Sequence, residues 1–141
     1  MLSVVALLAV AAPAGAATGE HKVVEHVDLT LVKKTGNGTK KFQHKGRATG
    51  TVEGTVTART TLKYSVALKG DVTIATREGK IRMKVDGRAR SVDRRSKFNG
   101  TARMVGGTGK YEGATGTGTF TGVVNRKTWH VTLDAKGSYH Y

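Results

Sequence analysis

The stretch GGTGKYEGATGTGTF, residues 106–120, carries six glycines and four threonines in fifteen residues. Its reading decides the fold. A phosphate-binding loop needs G-x-x-x-x-G-K-[ST] opening a helix, so that backbone N–H groups and a helix N-terminus face the anion. GGTGKY lacks that spacing, and no helical pattern follows it. A dinucleotide turn needs a strand–helix–strand unit around it, and none is legible. A flexible linker would not run directly into Phe120, Val124, Trp129 and Leu133. What remains is a tight turn and bulge entering a strand, with glycines that relieve crowding on a bent wall.

The neighbouring sequence agrees. Ile81, Met83 and Val85 alternate with Arg82 and Lys84, and Trp129, Val131, Leu133, Ala135 and Gly137 alternate with polar residues. Leu62, Tyr64, Val66 and Leu68 repeat the pattern, as do Val27, Leu29 and Leu31. Period two places one face of each strand on a core and the other in water. No apolar stripe recurs at helical spacing, so almost no helix is expected. Turn signals at KTGNGTK (34–40), REGK (77–80), Asp86-Gly87, Asn99-Gly100 and NRKT (125–128) divide the chain into about eight or nine strands. Asn99-Gly100 also fits a bulge within a strand. The segments 48–56 and 114–124 echo one another as Gly/Thr-rich strands. So many antiparallel strands in one small domain are expected to close into a barrel, which removes exposed edges. The fold class read here is all-β, a single closed antiparallel barrel of about eight strands. Leu62, Tyr64, Val66, Leu68, Val72, Ile74, Ile81, Met83, Val85, Trp129, Val131 and Leu133 are expected to be mostly buried.

Residues 106–120 also resemble a family signature, G-G-T-G-[KR]-[FY]-x-G-A-x-G, found near the end of dirigent and allene oxide cyclase barrels. The version in small secreted bacterial proteins with an allene-oxide-cyclase-like barrel is the most similar. The resemblance spans about residues 22–141 and is sharp only over 106–122. It implies an eight-stranded antiparallel barrel, in which Gly106, Gly107, Thr108, Gly109, Gly113 and Gly116 have a structural role. It also implies, as one alternative, a lumen that steers a reactive small molecule, as an isomerase or a dirigent-like guide would. The lumen acids and aromatics of the plant proteins have no counterparts identified in this sequence.

Composition bounds the function. The 141 residues hold no cysteine, so disulfides, thiolate nucleophiles and cysteine metal sites are excluded. Residues 1–17 have an apolar run and an A-x-A site at Ala14-Gly15-Ala16, which reads as a secretory signal, although no Lys or Arg precedes the run. Residues 18–141 would then form the exported barrel domain. Export without disulfides suits a bacterial extracellular protein.

The net charge of +14 favours polyanionic partners. Lys80, Arg82 and Lys84 alternate along one outer strand face, and Arg88, Arg90, Arg94 and Arg95 follow. Few aromatics interleave with them, so an anionic envelope polymer is a better partner than nucleic acid.

No catalytic constellation is legible. His130 and Asp134 share a strand face but stand some 13 Å apart by strand rise. His21, Glu25 and His26 read as a mobile terminus rather than a metal site, and no metal or cofactor is expected. The sequence therefore points to a non-catalytic binding or envelope-associated module, using a small apolar lumen or the basic face. Tyr64, Phe120 and Trp129 are the expected lumen contacts.

Overall fold

The computed structural model describes residues 20–140. The expected leader, residues 1–17, lies outside them. Eight strands follow one another: β1 (Glu20–Thr35), β2 (Lys40–Gly50), β3 (Gly54–Lys63), β4 (Ala67–Thr76), β5 (Gly79–Ala89), β6 (Arg95–Gly107), β7 (Thr115–Asn125) and β8 (Val131–His140). Each pairs antiparallel with the next, and β8 pairs with β1, from Glu20↔His140 to Leu29↔Val131. The result is a closed up-and-down barrel, with the apolar face of each strand turned inward. One short 3₁₀ turn, Gly109–Tyr111, is the sole helical element among the described residues. No helix there is long and apolar enough to cross a membrane.

Up-and-down order sorts the connections onto two ends. The β1–β2, β3–β4, β5–β6 and β7–β8 connections share one end, called the mouth here. The β2–β3, β4–β5 and β6–β7 connections share the other.

The glycine-rich stretch closes that second end. A bulge interrupts β6, where Arg82 pairs Gly106 and Met83 pairs Met104. The chain then turns under the barrel through Gly109 (φ +60°) and Gly113 (φ +75°), a backbone region glycine enters at little cost. This turn drives Tyr111 (3 % exposed) and Ala114 (0 %) into the barrel floor. There Tyr111 meets Tyr139, with ring centroids 6.0 Å apart. Val52 and Ile81 complete the plug within the same apolar cluster.

Some turn assignments differ from the sequence reading. The run from Leu62 to Leu68 is not one strand. The chain reverses at Tyr64 (φ +54°) and Ser65 (φ +61°), with Val66 N–H donating to the Lys63 carbonyl at 3.1 Å. Leu62 pairs Leu68 across the hairpin, so both point inward. A reversal that preserves parity looks like an unbroken strand in the sequence. Asp86-Gly87 is not a turn either, and Asn99-Gly100 lies within a strand, as one of its two readings had it, though without a bulge. Gly87 pairs Gly100 inside the β5–β6 ladder. The ring of Phe120 covers both, and a Cβ on Gly100 would lie 2.6 Å from its Cζ. These glycines make room for an inward aromatic ring. Likewise, segment 48–56 is not one strand, because β2 ends at Gly50 and β3 begins at Gly54.

Candidate functional site: the barrel lumen

The inward residues do not fill the barrel. Ala58, Ala102, Ala135, Gly118 and Gly137 put small groups on facing strands, and a cavity of about 220 Å³ remains. The rest of its wall is largely apolar, built mainly of Val, Leu, Ile, Met and Phe with Trp129 and Tyr139. Leu62, Ile74 and Ile81 are buried, as expected. Leu68, Val72, Met83, Val85, Val131 and Leu133 are half-buried, because they face the cavity rather than one another.

One carboxyl and one imidazole face this lumen. Glu25 follows the alternation Val23, Glu25, Val27, Leu29 along β1 and is 7 % exposed. Its Oε2 accepts the Val52 N–H at 2.7 Å, while Oε1 is buried without a partner among the described residues. Burial raises its pKa to about 7, against the lowering effect of the Val52 and Thr51 N–H groups. At neutral pH the carboxyl is therefore poised between its two forms, and its protonated form is a donor aimed into an apolar space. His44, on β2, is buried toward the mouth, and its Nε2–H donates to the Trp129 carbonyl at 2.7 Å. Burial holds its pKa below the ordinary histidine value. Glu25 lies opposite Gly50 in the ladder, six residues along β2 from His44. By strand rise they stand roughly 20 Å apart and do not form an acid–base pair on one ligand atom.

The Glu25 carboxyl gives the fold a distinct pH signature. Its folded pKa lies above the ordinary value of 4.5, so the native state binds a proton that the unfolded chain releases between pH 4.5 and 7. Stability is therefore lost as pH rises through that window, by about 3 kcal/mol in all. His44 acts in the opposite sense: its lowered pKa costs stability as pH falls below 6.5. Glu25→Gln removes the first effect alone. Thermal melts from pH 5 to 8 are expected to show the variant gaining on the wild type as pH rises. Parallel melting curves at every pH would show that the carboxyl is not held in a dry site.

At the mouth, Trp129 sits at φ +60° just before β8 rather than within it. Its N–H donates to the Asn125 carbonyl at 2.6 Å, and its ring lies 4.7 Å from Phe42. Lys34 Nζ and Arg126 Cζ lie 6.0 and 5.9 Å from the ring centre. Arg126 ties three connections together. Its Nε donates to Ser96 Oγ at 2.7 Å, and its Nη2 donates to the carbonyls of Ser65 at 2.8 Å and Ser91 at 2.9 Å. Such charge-assisted bonds, with carbonyls left bare on their loss, make Arg126→Ala expected to cost about 3 kcal/mol in urea unfolding. Arg126→Lys is expected to recover little, because a single ammonium does not span that fork of acceptors. A loss below about 0.5 kcal/mol would deny the clamp its role.

The expected lumen residues separate. Phe120 (6 % exposed) and Trp129 line the cavity. Tyr64 does not: it is 87 % exposed at the tip of the β3–β4 turn. Lys80, Arg82, Lys84 and Arg88 project outward from β5, and Arg90, Arg94 and Arg95 lie exposed in or beside the β5–β6 loop. Part of this stripe is neutralised across the ladder, since Lys84 pairs with Asp71 at 2.6 Å. Gly106, Gly107, Gly109 and Gly113 shape the plug, and Gly116 opens β7 beside Tyr139. Glu25 and His26 are not a mobile terminus but part of β1, on opposite faces. His26 pairs with Asp134 at 2.9 Å and His130 with Asp28 at 3.0 Å, both on the outer β1–β8 wall. No group of three or more metal-ligating side chains occurs among the described residues. Glu25 could have been found from its parity with Val23, Val27 and Leu29. Nothing local marked Arg126, whose acceptors come from two other loops and from β6.

Fold and site together define a closed eight-stranded barrel with an apolar lumen, sealed at one end and holding a buried carboxyl. Comparison of the chain with known protein families, characterised proteins and solved structures finds no match.

Proposed function

We propose that this protein is an exported, non-catalytic barrel that binds a small apolar molecule in its lumen. The cavity of about 220 Å³ carries the reading. A dry cavity of about 150 Å³ already accepts benzene, so this one suits one or two rings or a short chain. The wall offers apolar contact, and Glu25 offers one donor or acceptor to fix orientation. Native mass spectrometry of the protein from its own medium is expected to show a retained small molecule. The purified protein is expected to bind N-phenyl-1-naphthylamine saturably, and failure of both measurements would overturn the reading.

A second reading, a lumen-based isomerase or dirigent-like guide, gains support from Glu25. A carboxyl with a pKa of about 7 in a dry cavity is matched to proton transfer at neutral pH. Under that reading Glu25→Gln abolishes turnover and leaves binding intact. The basic β5 face supports a third, anionic envelope polymer or nucleic acid binding, whose affinity would fall steeply with salt.

A further inference from the structure

The charge is not spread evenly over the two ends of the barrel. The β1–β2 connection brings Lys33, Lys34, Lys40 and Lys41 to the mouth without an acid. The β5–β6 connection and its flanks bring Arg88, Arg90, Arg94, Arg95 and Lys97 against Asp93 alone. Lys63 and Lys127 flank or occupy the other two mouth connections, which also hold no acid. The plugged end is close to balanced: Glu20, Glu53, Glu78 and Glu112 stand near Lys22, Arg77, Lys80, Lys110 and Lys136.

The mouth carries exposed apolar side chains at the tips of its connections, whereas the other exposed apolar residues, Val24 and Val105, lie along strands β1 and β6. Tyr64 (87 % exposed) crowns the β3–β4 turn, and Val92 (63 %) crowns the β5–β6 loop. Arg126 holds the carbonyls of their neighbours Ser65 and Ser91, so one guanidinium sets both tips side by side. Val32 (56 %) adds a third apolar group at the β1 bulge. Tyr64 also occupies a left-handed conformation that tyrosine rarely adopts, and no burial of its ring offsets that. Ser65 shares this conformation (φ +61°), as a two-residue hairpin turn requires, and the turn holds the Tyr64 ring outward.

We propose that the mouth of the barrel docks on bilayers that carry anionic lipid. Tyr64 and Val92 enter the headgroup region, and the surrounding Lys and Arg form a collar against the negative surface. A Tyr ring suits that depth, being apolar along its body and polar at its tip. Cations near an anionic leaflet each add about five-fold to partition. A bilayer is favoured over a soluble polyanion because a polyanion has no use for apolar tips. Docking in this orientation sets the mouth end of the lumen, beside Trp129 and Phe42, against the membrane, where apolar small molecules reside. The proposal does not require an occupied lumen.

Sedimentation with vesicles tests it at physiological salt. The wild type is expected to bind phosphatidylcholine vesicles containing one-third phosphatidylglycerol and to leave pure phosphatidylcholine vesicles in solution. Arg94→Glu with Arg95→Glu is expected to weaken binding more than tenfold. Tyr64→Ser with Val92→Ser is expected to weaken it about tenfold and to make the remainder fully reversible by salt. All four side chains are exposed, so both variants should melt as the wild type does, and the losses will report docking. Equal binding to neutral and anionic vesicles would overturn the proposal. So would an undiminished Tyr64/Val92 variant together with equally tight binding to soluble polyphosphate, which would make the collar a polyanion site.

Discussion

Gly107→Ala is expected to destabilise the barrel by about 4 kcal/mol or more, a large share of a small domain's stability. Gly107 ends β6, where the chain leaves the ladder to fold the plug under the floor. A Cβ there would lie 2.1 Å from the Lys80 carbonyl oxygen and 2.9 Å from the Tyr111 Cβ. Neither neighbour is the free end of a flexible side chain. The Lys80 carbonyl also accepts the Thr108 N–H at 2.9 Å, so its retreat would cost a backbone hydrogen bond as well. Gly113→Ala is the matched comparison, because Gly113 has φ +75° but a Cβ added to it would meet nothing within 4 Å. That substitution should cost only the left-handed penalty, about 1 to 2 kcal/mol. Urea unfolding of the two variants separates crowding from backbone freedom. Equal, small losses would mean that the floor gives way easily and that the plug is not a rigid seal.

Ala102→Phe is expected to remove lumen binding, lowering affinity for N-phenyl-1-naphthylamine at least 100-fold, while holding or raising stability. Ala102 faces the lumen from β6, opposite Gly118 on β7 and Val85 on β5. A phenyl ring at this site projects into the cavity of about 220 Å³ and takes up much of it. Filling an existing void commonly stabilises a fold by about 0.5–2 kcal/mol. Loss of binding with a rise in melting temperature is therefore the specific signature of an occupied lumen. A variant that binds the probe as tightly as the wild type would place the binding site elsewhere on the molecule. A variant that merely unfolds says nothing of binding, and Ala135→Leu on β8, facing the same space, then provides the smaller intrusion.

Strand faces, closure and the turn and bulge of the glycine-rich stretch were legible in the residue order, although its role as a plug was not. Parity is a local property: a residue's side of a strand follows from its neighbours two positions away. Ile81, Met83 and Val85 therefore point inward, and Lys80, Arg82 and Lys84 outward, with no knowledge of the rest of the chain. The same rule would have placed Glu25 in the lumen, had the first strand been extended back through Val23. The reversal at Tyr64-Ser65 became visible only in the folded chain, since neither residue announces a positive φ and parity is continuous across the turn. The fold was also needed to assign Asp86-Gly87 to a strand and to choose between the two readings of Asn99-Gly100, because the ring they accommodate, Phe120, comes from a third strand. Arg126 acquires its partners, and the mouth its cations, only when the barrel closes and alternate hairpins converge on one end. Strand faces depend on neighbours along the chain, whereas a lumen and a rim depend on segments brought together from its whole length.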